Sequence, residues 1–336
     1  MKKKILAVVT GGAGFIGSHM VDLLLEEGYR VNVIDDMSGG HRGNLSHHKG
    51  NLDLKVFEVD IRGLQPDSHI FKDASFIFHF AGKGDIVPSI ERPTDYMDIN
   101  VQGTVRVLEC ARYAGVSKLV YAASSSCYGI AETPTREDHP ISPLYPYALS
   151  KYLGEQAVFH WNQVFKVPAN SICIFNAYGP RVRTTGAYGA VFGVFFRQKL
   201  AGKPYTVVGD GNQSRDFIYV TDVARAFLAA AVTDATGQRF NVGAGNPQTI
   251  NTLVGLLGGQ VVYIPKRPGE PDCTFADIRK ITNLLGWRPL VDFRQGVKCM
   301  IQYIELWKDA PLWEPESIAM ATKTWFNFLG THNEKN

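Results

Sequence analysis

The sequence has little of several features that define special classes of protein. Only five of its 336 residues are cysteine, and no C-x-x-C pair occurs, which argues against a disulfide framework or a zinc site. No apolar run approaches the roughly 20 residues of a membrane-spanning helix. The 35 basic and 32 acidic side chains leave a net charge of only +3, without a basic stripe. We therefore expect neither a nucleic acid nor a membrane as partner.

The beginning of the chain also lacks the pattern of a secretion signal. Three lysines follow Met1, but the apolar stretch after them covers only residues 5–9, which is too short for a signal peptide. Together with the scattered cysteines this predicts a reducing, cytoplasmic setting. The length and the 45% hydrophobic content are sufficient for a large core in about two lobes.

Short β-rich apolar runs alternate with longer segments of helical periodicity in the first half of the chain. We predict buried parallel strands at 5–10, 30–35, 54–58, 76–80, 118–123 and 169–175, and helices at 15–27, 99–114 and 147–165. This alternation is typical of right-handed βαβ units. The predicted fold class is α/β, with a Rossmann-type doubly wound parallel sheet and a smaller mixed α/β C-terminal substrate lobe.

After residue 175 glycine, proline and aromatic residues become frequent, and this change sets the predicted domains. Residues 1–175 form the dinucleotide-binding domain, to which segments around 215–245 return, and residues 176–310 form the substrate lobe. Residues 311–336 form a helical tail. We expect this helix to pack on the body rather than to meet a partner or a membrane, because apolar residues recur at helical spacing; they are Ile318, Ala321, Trp325, Phe328 and Leu329.

A glycine-rich turn, TGGAGFIGS, follows the first predicted strand and opens the first helix. Gly11 permits the tight turn, Gly14 lets the backbone approach a pyrophosphate, and Gly17 allows close packing of helix on strand. Asp35 ends the second strand, where a carboxylate binds a ribose and repels a 2′-phosphate, so NAD is expected rather than NADP. The other residues predicted to contact the cofactor here are Phe15, Ile16, Asp36 and Ser38.

The segment YALSK places Tyr147 and Lys151 four residues apart, on one face of a predicted helix. A lysine ammonium near a phenol favours the phenolate, which can then act as a base. Ser124 lies at the carboxyl end of a predicted strand, on the sheet edge where such folds bind ligands. Its hydroxyl can hydrogen-bond the reacting oxygen. We predict these three residues as the catalytic group.

Together the motifs TGGAGFIGS, VIDDMSGG, YAASSSCYG, YALSK, FNAYGPR, SRDFIYVTDV and RPGEPD resemble those of the extended short-chain dehydrogenases/reductases, specifically the nucleotide-sugar epimerases and dehydratases. The resemblance extends from Lys4 to about Trp307 and implies NAD, a nucleotide-sugar substrate and a homodimer formed through helices 99–114 and 147–165. It implies further cofactor contacts from Asp60, Ile61, Phe80, Ala81, Lys83 and Asn100. The substrate contacts that it implies are Lys83, Ser124, Ser125, Ser126, Asn176, Arg215, Arg267, Glu270 and Thr274.

The two residues after Ser124 bear on the reaction. A 4,6-dehydratase must remove the C5 proton and protonate the departing 6-hydroxyl. Family dehydratases carry acidic residues for this at the positions of Ser125 and Ser126, and serine cannot act as such an acid or base at neutral pH. The chain is therefore closest to UDP-hexose and UDP-N-acetylhexosamine 4-epimerases, in which the hydride returns from bound NADH to a 4-keto intermediate. A 4,6-dehydratase that uses Asp85 or Glu132, and a non-catalytic NAD-loaded binding protein, stay open as alternatives.

Some positions are unusual or have a plainer explanation. Thr274 stands where a tyrosine in some 4-epimerases excludes sugars with a 2-acetamido group, so we predict that N-acetylated sugars are accepted. Residues 181–188 depart from the family pattern and are expected to shape the sugar pocket, and Asp85 is expected to pair with Lys83 or to hold its loop. We predict no metal. The residues interpreted as surface or packing positions are His47, His48, His79 and Cys127.

Overall fold

The structure is a computed structural model that describes residues 4–184 and 190–330. In these two stretches the strands are β1 (Leu6–Thr10), β2 (Arg30–Asp35), β3 (Leu54–Glu58), β4 (Ala74–His79), β5 (Lys118–Ser124), β6 (Ala169–Ile174), β7 (Asn176–Tyr178), β8 (Tyr205–Val208), β9 (Ser214–Arg215), β10 (Phe217–Tyr219), β11 (Arg239–Val242), β12 (Gln248–Thr249) and β13 (Val261–Ile264). The helices are α1 (Phe15–Glu26), α2 (Ile86–Glu91), α3 (Pro93–Met97), α4 (Thr104–Ala114), α5 (Pro146–Phe165), α6 (Val191–Leu200), α7 (Val220–Val232), α8 (Ile250–Leu257), α9 (Arg279–Leu285), α10 (Phe293–Gln302) and α11 (Pro315–Leu329).

A parallel sheet with strand order β11-β6-β5-β4-β1-β2-β3 forms the centre of the fold. Alternate residues of β1 enter two hydrophobic cores, one with α1 and α7 and the other with α4 and α5, so helices cover both faces. The strand order reverses on either side of β1, which creates a ligand-binding crevice at the carboxyl ends of β1 and β4. The predicted Rossmann-type doubly wound sheet is confirmed.

One strand is less buried than the sequence predicts. β3 has the predicted bounds, but its side chains are half-buried or exposed, and Val56 is 40% exposed. The reason is that β3 lies at the edge of the sheet, where in the described residues it pairs with β2 on one side and with no strand on the other. The predicted helix at 99–114 also differs, because it begins with a π-helical segment (Asp98–Gly103) before α4.

The second half of the chain builds a smaller lobe with its own core. Short strands pair as β7 with β10, β9 with β12 and β8 with β13, and α6, α8 and α10 contribute buried apolar residues to a third cluster. Two later elements belong to the central sheet and its helices instead. Helix α7 shares a hydrophobic core with α1, and β11 pairs with β6.

The tail helix α11 packs on the body through Ile318, Thr322, Trp325 and Leu329. Phe328, counted with the apolar face in the sequence, is 63% exposed, because the buried residues occupy an arc of about 60° from Trp325 to Thr322 and Phe328 lies about 60° beyond Trp325 on the other side. Residues 331–336 of the predicted tail lie outside the described part of the chain. Within the described residues no helix has both the length and the apolar character to cross a membrane.

Candidate active site

The glycine turn lies at the crevice between β1 and β4 and has no space for a side chain at Gly11 or Gly17. Gly11 has a φ of +68°, and a Cβ atom there would lie 2.7 Å from the amide nitrogen of Ala81. A Cβ atom on Gly17 would lie 2.1 Å from the carbonyl oxygen of Gly11. The turn thus brings bare backbone and the N-terminus of α1 to the crevice, an arrangement that suits a pyrophosphate.

Asp35 holds this turn as well as facing the crevice. Its carboxylate accepts hydrogen bonds from the amides of Ala13 and Met37, each at 2.9 Å, and burial raises its pKa. The next residue, Asp36, accepts hydrogen bonds from the amide and the hydroxyl of Ser38. The structure therefore gives Asp35 a positioning role that the sequence analysis did not assign.

A cavity of about 1030 Å³ extends along this crevice. The predicted cofactor residues that line it are Gly11, Gly14, Phe15, Ile16, Asp35, Asp36, Ser38, Asp60, Ile61, Phe80, Ala81, Lys83, Tyr147 and Lys151. Asn100 is buried behind it, where its side chain bonds both the amide and the carbonyl of Lys83 and the hydroxyl of Ser150. The cavity size, the bare glycine backbone and the carboxylate at β2 fit a dinucleotide.

Ser124 and Tyr147 meet in the same cavity. Ser124 ends β5, and its hydroxyl hydrogen-bonds the Tyr147 phenol, which works against the rise in the pKa of Tyr147 that burial causes. Lys151 lies one turn further along α5, with its Nζ 4.4 Å from the centroid of the Tyr121 ring. Burial lowers the pKa of Lys151 to about 8. The predicted catalytic residues are therefore neighbours in space.

The structure corrects the predicted pairing of Lys83 with Asp85. Lys83 Nζ donates to Asp95 Oδ2 at 3.0 Å, whereas Asp85 lies 3.8 Å from Arg183. The difference arises because α3 presents Asp95 to Lys83, while Asp85 precedes α2 and is directed toward the segment that carries Arg183. Residues 185–188 of the unusual segment at 181–188 lie outside the described residues.

A second cavity of about 460 Å³ lies between the sheet edge and the smaller lobe. The predicted substrate residues that line it are Ser125, Ser126, Asn176, Arg215, Arg267, Glu270 and Thr274, and the two serines together with Asn176 line the first cavity as well. Arg215 donates to Glu270 at 2.8 Å, and Arg267 lies 3.3 Å from the same carboxylate. Two guanidinium groups thus share one carboxylate, and these three side chains together carry one excess positive charge.

Tyr145 and Trp325 are among the aromatic residues of this second cavity that were not predicted as site residues. Tyr145 stacks beside Tyr147, with ring centroids 6.4 Å apart, and Trp325 reaches the cavity from α11. The position of Tyr145 two residues before the tyrosine of the YALSK motif was an available signal. Trp325 had only its helical spacing, which is equally typical of a packing residue.

His47 and His48 are not plain surface residues. Their Nε2 atoms lie 2.8 and 2.7 Å from Asp22 Oδ1, so a carboxylate lies against the pair although the His47 side chain is half exposed. Asp22 comes from α1, 25 residues before His47, a separation that motif spacing does not reveal. Arg181 donates to the other carboxylate oxygen of Asp22, and its positive charge disfavours a metal cation. Hydrogen bonding accounts for the cluster.

His79 and Cys127 are packing residues, as predicted. His79 is buried between the hydroxyls of Thr10 and Thr104, at 2.6 and 2.9 Å, and burial lowers its pKa to about 3. Cys127 is buried with its Sγ 3.3 Å from the carbonyl oxygen of Ala148, and burial raises its pKa to about 12. A thiol of that pKa is a poor nucleophile at neutral pH.

Lys151→Met is expected to stabilise the folded chain at pH 7. The folded protein holds this proton with a pKa of about 8, below the roughly 10.4 of an unfolded lysine. The buried ammonium therefore lowers the free energy of unfolding. This loss is complete below pH 8 and disappears as the pH rises toward the pKa of lysine in the unfolded chain. We expect the free energy of unfolding of the NAD-free variant to exceed that of the parent by about 2 kcal/mol at pH 7, in urea titrations.

The pH dependence supplies the control for this variant. The difference between the two proteins should shrink steadily between pH 8 and 10, because Lys151 is then neutral in the folded parent but still protonated in the unfolded chain, so the stability of the parent rises with pH. An equal or lower stability of Lys151→Met at pH 7 would contradict a buried ammonium at this position.

The fold and the Ser–Tyr–Lys arrangement beside a dinucleotide cavity define an NAD-dependent enzyme of the short-chain dehydrogenase/reductase type. Residues 7–243 match the NAD dependent epimerase/dehydratase family, and the chain belongs to that family. The predicted family and its NAD cofactor are thereby confirmed.

Three proteins illustrate the similarity. The putative UDP-glucose 4-epimerase of Methanocaldococcus jannaschii is 36% identical over 309 residues, which cover 89% of this chain and 98% of that protein. The UDP-N-acetylglucosamine 4-epimerase of Methanobrevibacter ruminantium, solved with UDP-N-acetylmuramic acid, is 31% identical with a TM-score of 0.83 and covers 90% of this chain and 100% of that one. The UDP-glucuronic acid 4-epimerase of Bacillus cereus, solved with UDP-glucuronic acid and NAD, is 30% identical with a TM-score of 0.83 and covers 90% and 99%.

Proposed function

We propose that this chain is an NAD-dependent nucleotide-sugar 4-epimerase that acts on a UDP-hexose or a UDP-N-acetylhexosamine. The observation that carries the proposal is the junction of the two cavities, where Ser125 and Ser126 line both and Ser124 and Tyr147 lie directly beside them. A sugar bound there would present its 4-hydroxyl to Tyr147 while its diphosphate lies in the second cavity. The 4-epimerases that match over nearly their full length support this reaction.

Tyr147 acts as the acid–base group of the reaction. Its phenolate takes the proton of the sugar 4-hydroxyl, and Ser124 donates a hydrogen bond to the same oxygen as it becomes a carbonyl. Bound NAD would supply the hydride acceptor and donor for C4 of the sugar. Because burial raises the pKa of Tyr147, its ionisation depends on nearby positive charge, which the Lys151 ammonium provides.

The second cavity suits the nucleoside diphosphate. Arg215 and Arg267 are both nearly buried and both lie against Glu270, so the group carries one excess positive charge. A diphosphate can take bidentate hydrogen bonds from the two guanidinium groups. Glu270 then accepts hydrogen bonds from a ribose, whose hydroxyls are donors that a carboxylate binds well. Residues 176–310 would thus hold the nucleotide sugar and residues 1–175 the cofactor.

The surroundings of Ser124 argue against a 4,6-dehydratase. That reaction needs an acid and a base at C5 and C6, and the two residues after Ser124 are serines. Asp85 lines both cavities, but its carboxylate faces the guanidinium of Arg183 at 3.8 Å. Glu132 is exposed, and its amide donates to His139. These side chains therefore favour return of the hydride to C4 of the sugar over its transfer to C6.

A non-catalytic binding protein is the less favoured alternative. A binding protein has no need of the reacting groups, and Ser124, Tyr147 and Lys151 are all present and line one cavity.

Other features support the proposed assembly and compartment. Exposed apolar residues on α4 and α5, namely Tyr113, Leu149 and Leu153, support a homodimer through these helices. The five cysteines are free, which supports a cytoplasmic protein.

Proton NMR in D₂O tests the reaction directly. We expect UDP-glucose or UDP-N-acetylglucosamine to give a mixture of C4 epimers with no deuterium on the sugar carbons, because the same hydride leaves and returns. GDP, CDP and dTDP sugars serve as controls for the base. Loss of the 6-hydroxyl with deuterium at C5 or C6 would identify a dehydratase, and no change in any sugar would favour the binding protein.

A further inference from the structure

The tail helix α11 connects the two lobes beside the second cavity. Before its first turn, Gln198 of α6 donates to the carbonyl of Trp313 at 2.7 Å, and Lys203 lies 3.2 Å from Glu314. Its last turns form a buried cluster with Val87 of α2. One end of the helix is therefore fixed to the smaller lobe and the other end to the cofactor-binding layer.

Trp325 of this helix holds the segment that carries Arg267 and Glu270, here called loop 267–270. The indole Nε1 donates to the carbonyl oxygen of Pro268 at 2.7 Å, and the Arg267 guanidinium lies 5.6 Å from the indole ring centroid. Trp325 is only 5% exposed. Because Pro268 directly follows Arg267, this hydrogen bond fixes the backbone at the point where the guanidinium is placed.

The Trp325 indole also contacts Tyr145, the aromatic residue that packs beside Tyr147. Tyr145 lies 6.2 Å from Trp325 and 6.4 Å from Tyr147, measured between ring centroids, and the two tyrosine rings are inclined by only 10°. Both Tyr145 and Trp325 line the second cavity. An aromatic row thus runs from loop 267–270 to the acid–base tyrosine, and Trp325 is its outer end.

We propose that Trp325 is a positioning residue for the substrate, which makes the tail helix a functional part of the nucleotide site. The ligand in this inference rests on the proposed function, since loop 267–270 is taken to bind the diphosphate and the ribose. The resemblance to the family extends to about Trp307, and α11 begins after it, at Pro315. The helix therefore adds a second support to a loop that the shared fold already carries.

Two substitutions separate the hydrogen bond from the ring. Trp325→Phe keeps an aromatic ring but removes the N–H donor, and Trp325→Ala removes both. Phe328→Ala, on the exposed side of the same helix, is the surface control, and Ile318→Ala removes a buried contact two turns away from the loop. In NAD-loaded protein we measure amide hydrogen exchange of residues 264–275, the Kd of UDP by calorimetry, and KM and kcat for the nucleotide sugar.

We expect exchange in loop 267–270 to accelerate in both Trp325 variants, and the Kd of UDP to rise about fivefold in Trp325→Phe and more in Trp325→Ala. KM should rise in parallel, with kcat and NAD content unchanged, and neither control should alter the loop. Unchanged loop exchange in Trp325→Ala, or the same acceleration in Ile318→Ala, would overturn the positioning role. Faster loop exchange in a protein that does not bind UDP at all would support the positioning of the loop and contradict the proposed substrate.

Discussion

Tyr147→Phe is expected to keep bound NAD and to lose at least about a thousandfold in kcat. The substitution removes only the phenolic oxygen, which takes and returns the proton of the 4-hydroxyl. The ring itself stays packed between Tyr145 and Tyr96, whose centroids each lie 6.4 Å away. The measurement is epimer formation at saturating substrate, together with the NAD released on denaturation of the purified variant.

Tyr145→Phe provides the matched control, because it removes the same atom from the neighbouring stacked ring. We expect its kcat to change less than about tenfold, since Tyr145 faces Ser126 rather than Ser124. A Tyr147→Phe enzyme with undiminished turnover would remove Tyr147 from the mechanism. Loss of NAD from the Tyr147→Phe variant would mean that the Tyr147 phenol also binds the cofactor.

The features that the sequence predicted well depend on short stretches of chain. The glycine turn needs only nine consecutive residues, and Tyr147 and Lys151 are one helical turn apart. The strands of the sheet were found because buried parallel strands are short continuous apolar runs. The burial of β3 was the exception, because apolar character in a strand does not reveal whether it lies at the centre or at the edge of a sheet.

The features that the sequence did not reveal depend on contacts between distant segments. Lys83 meets Asp95 instead of Asp85, and the histidine pair meets Asp22, because helices α3 and α1 bring carboxylates that no local spacing predicts. The same holds for Trp325, which is 57 residues from its hydrogen-bond partner Pro268. Residues of this kind are chosen by the packing of whole elements, so a structure is needed to find them.

The environment of Thr274 allows the sugar specificity to be tested. Its hydroxyl donates to Asn176 Oδ1 at 2.7 Å and accepts from the amide of Asp216 at 3.1 Å, so this short side chain lies flat against the wall of the second cavity. A tyrosine at this position has to extend into the cavity, whose volume is about 460 Å³. The space that it takes is the space that we propose for a 2-acetamido group.

Thr274→Tyr is therefore expected to lower kcat/KM for UDP-N-acetylglucosamine at least about a hundredfold, and that for UDP-glucose less than about fivefold. The comparison requires both substrates with the same enzyme preparation, followed by NMR. Thr274→Val is the matched control, because it removes the two hydrogen bonds but leaves the cavity open; it should affect both sugars equally. Equal losses on the two sugars in Thr274→Tyr would show that the tyrosine disturbs Asn176 and the cavity wall rather than excluding the acetamido group.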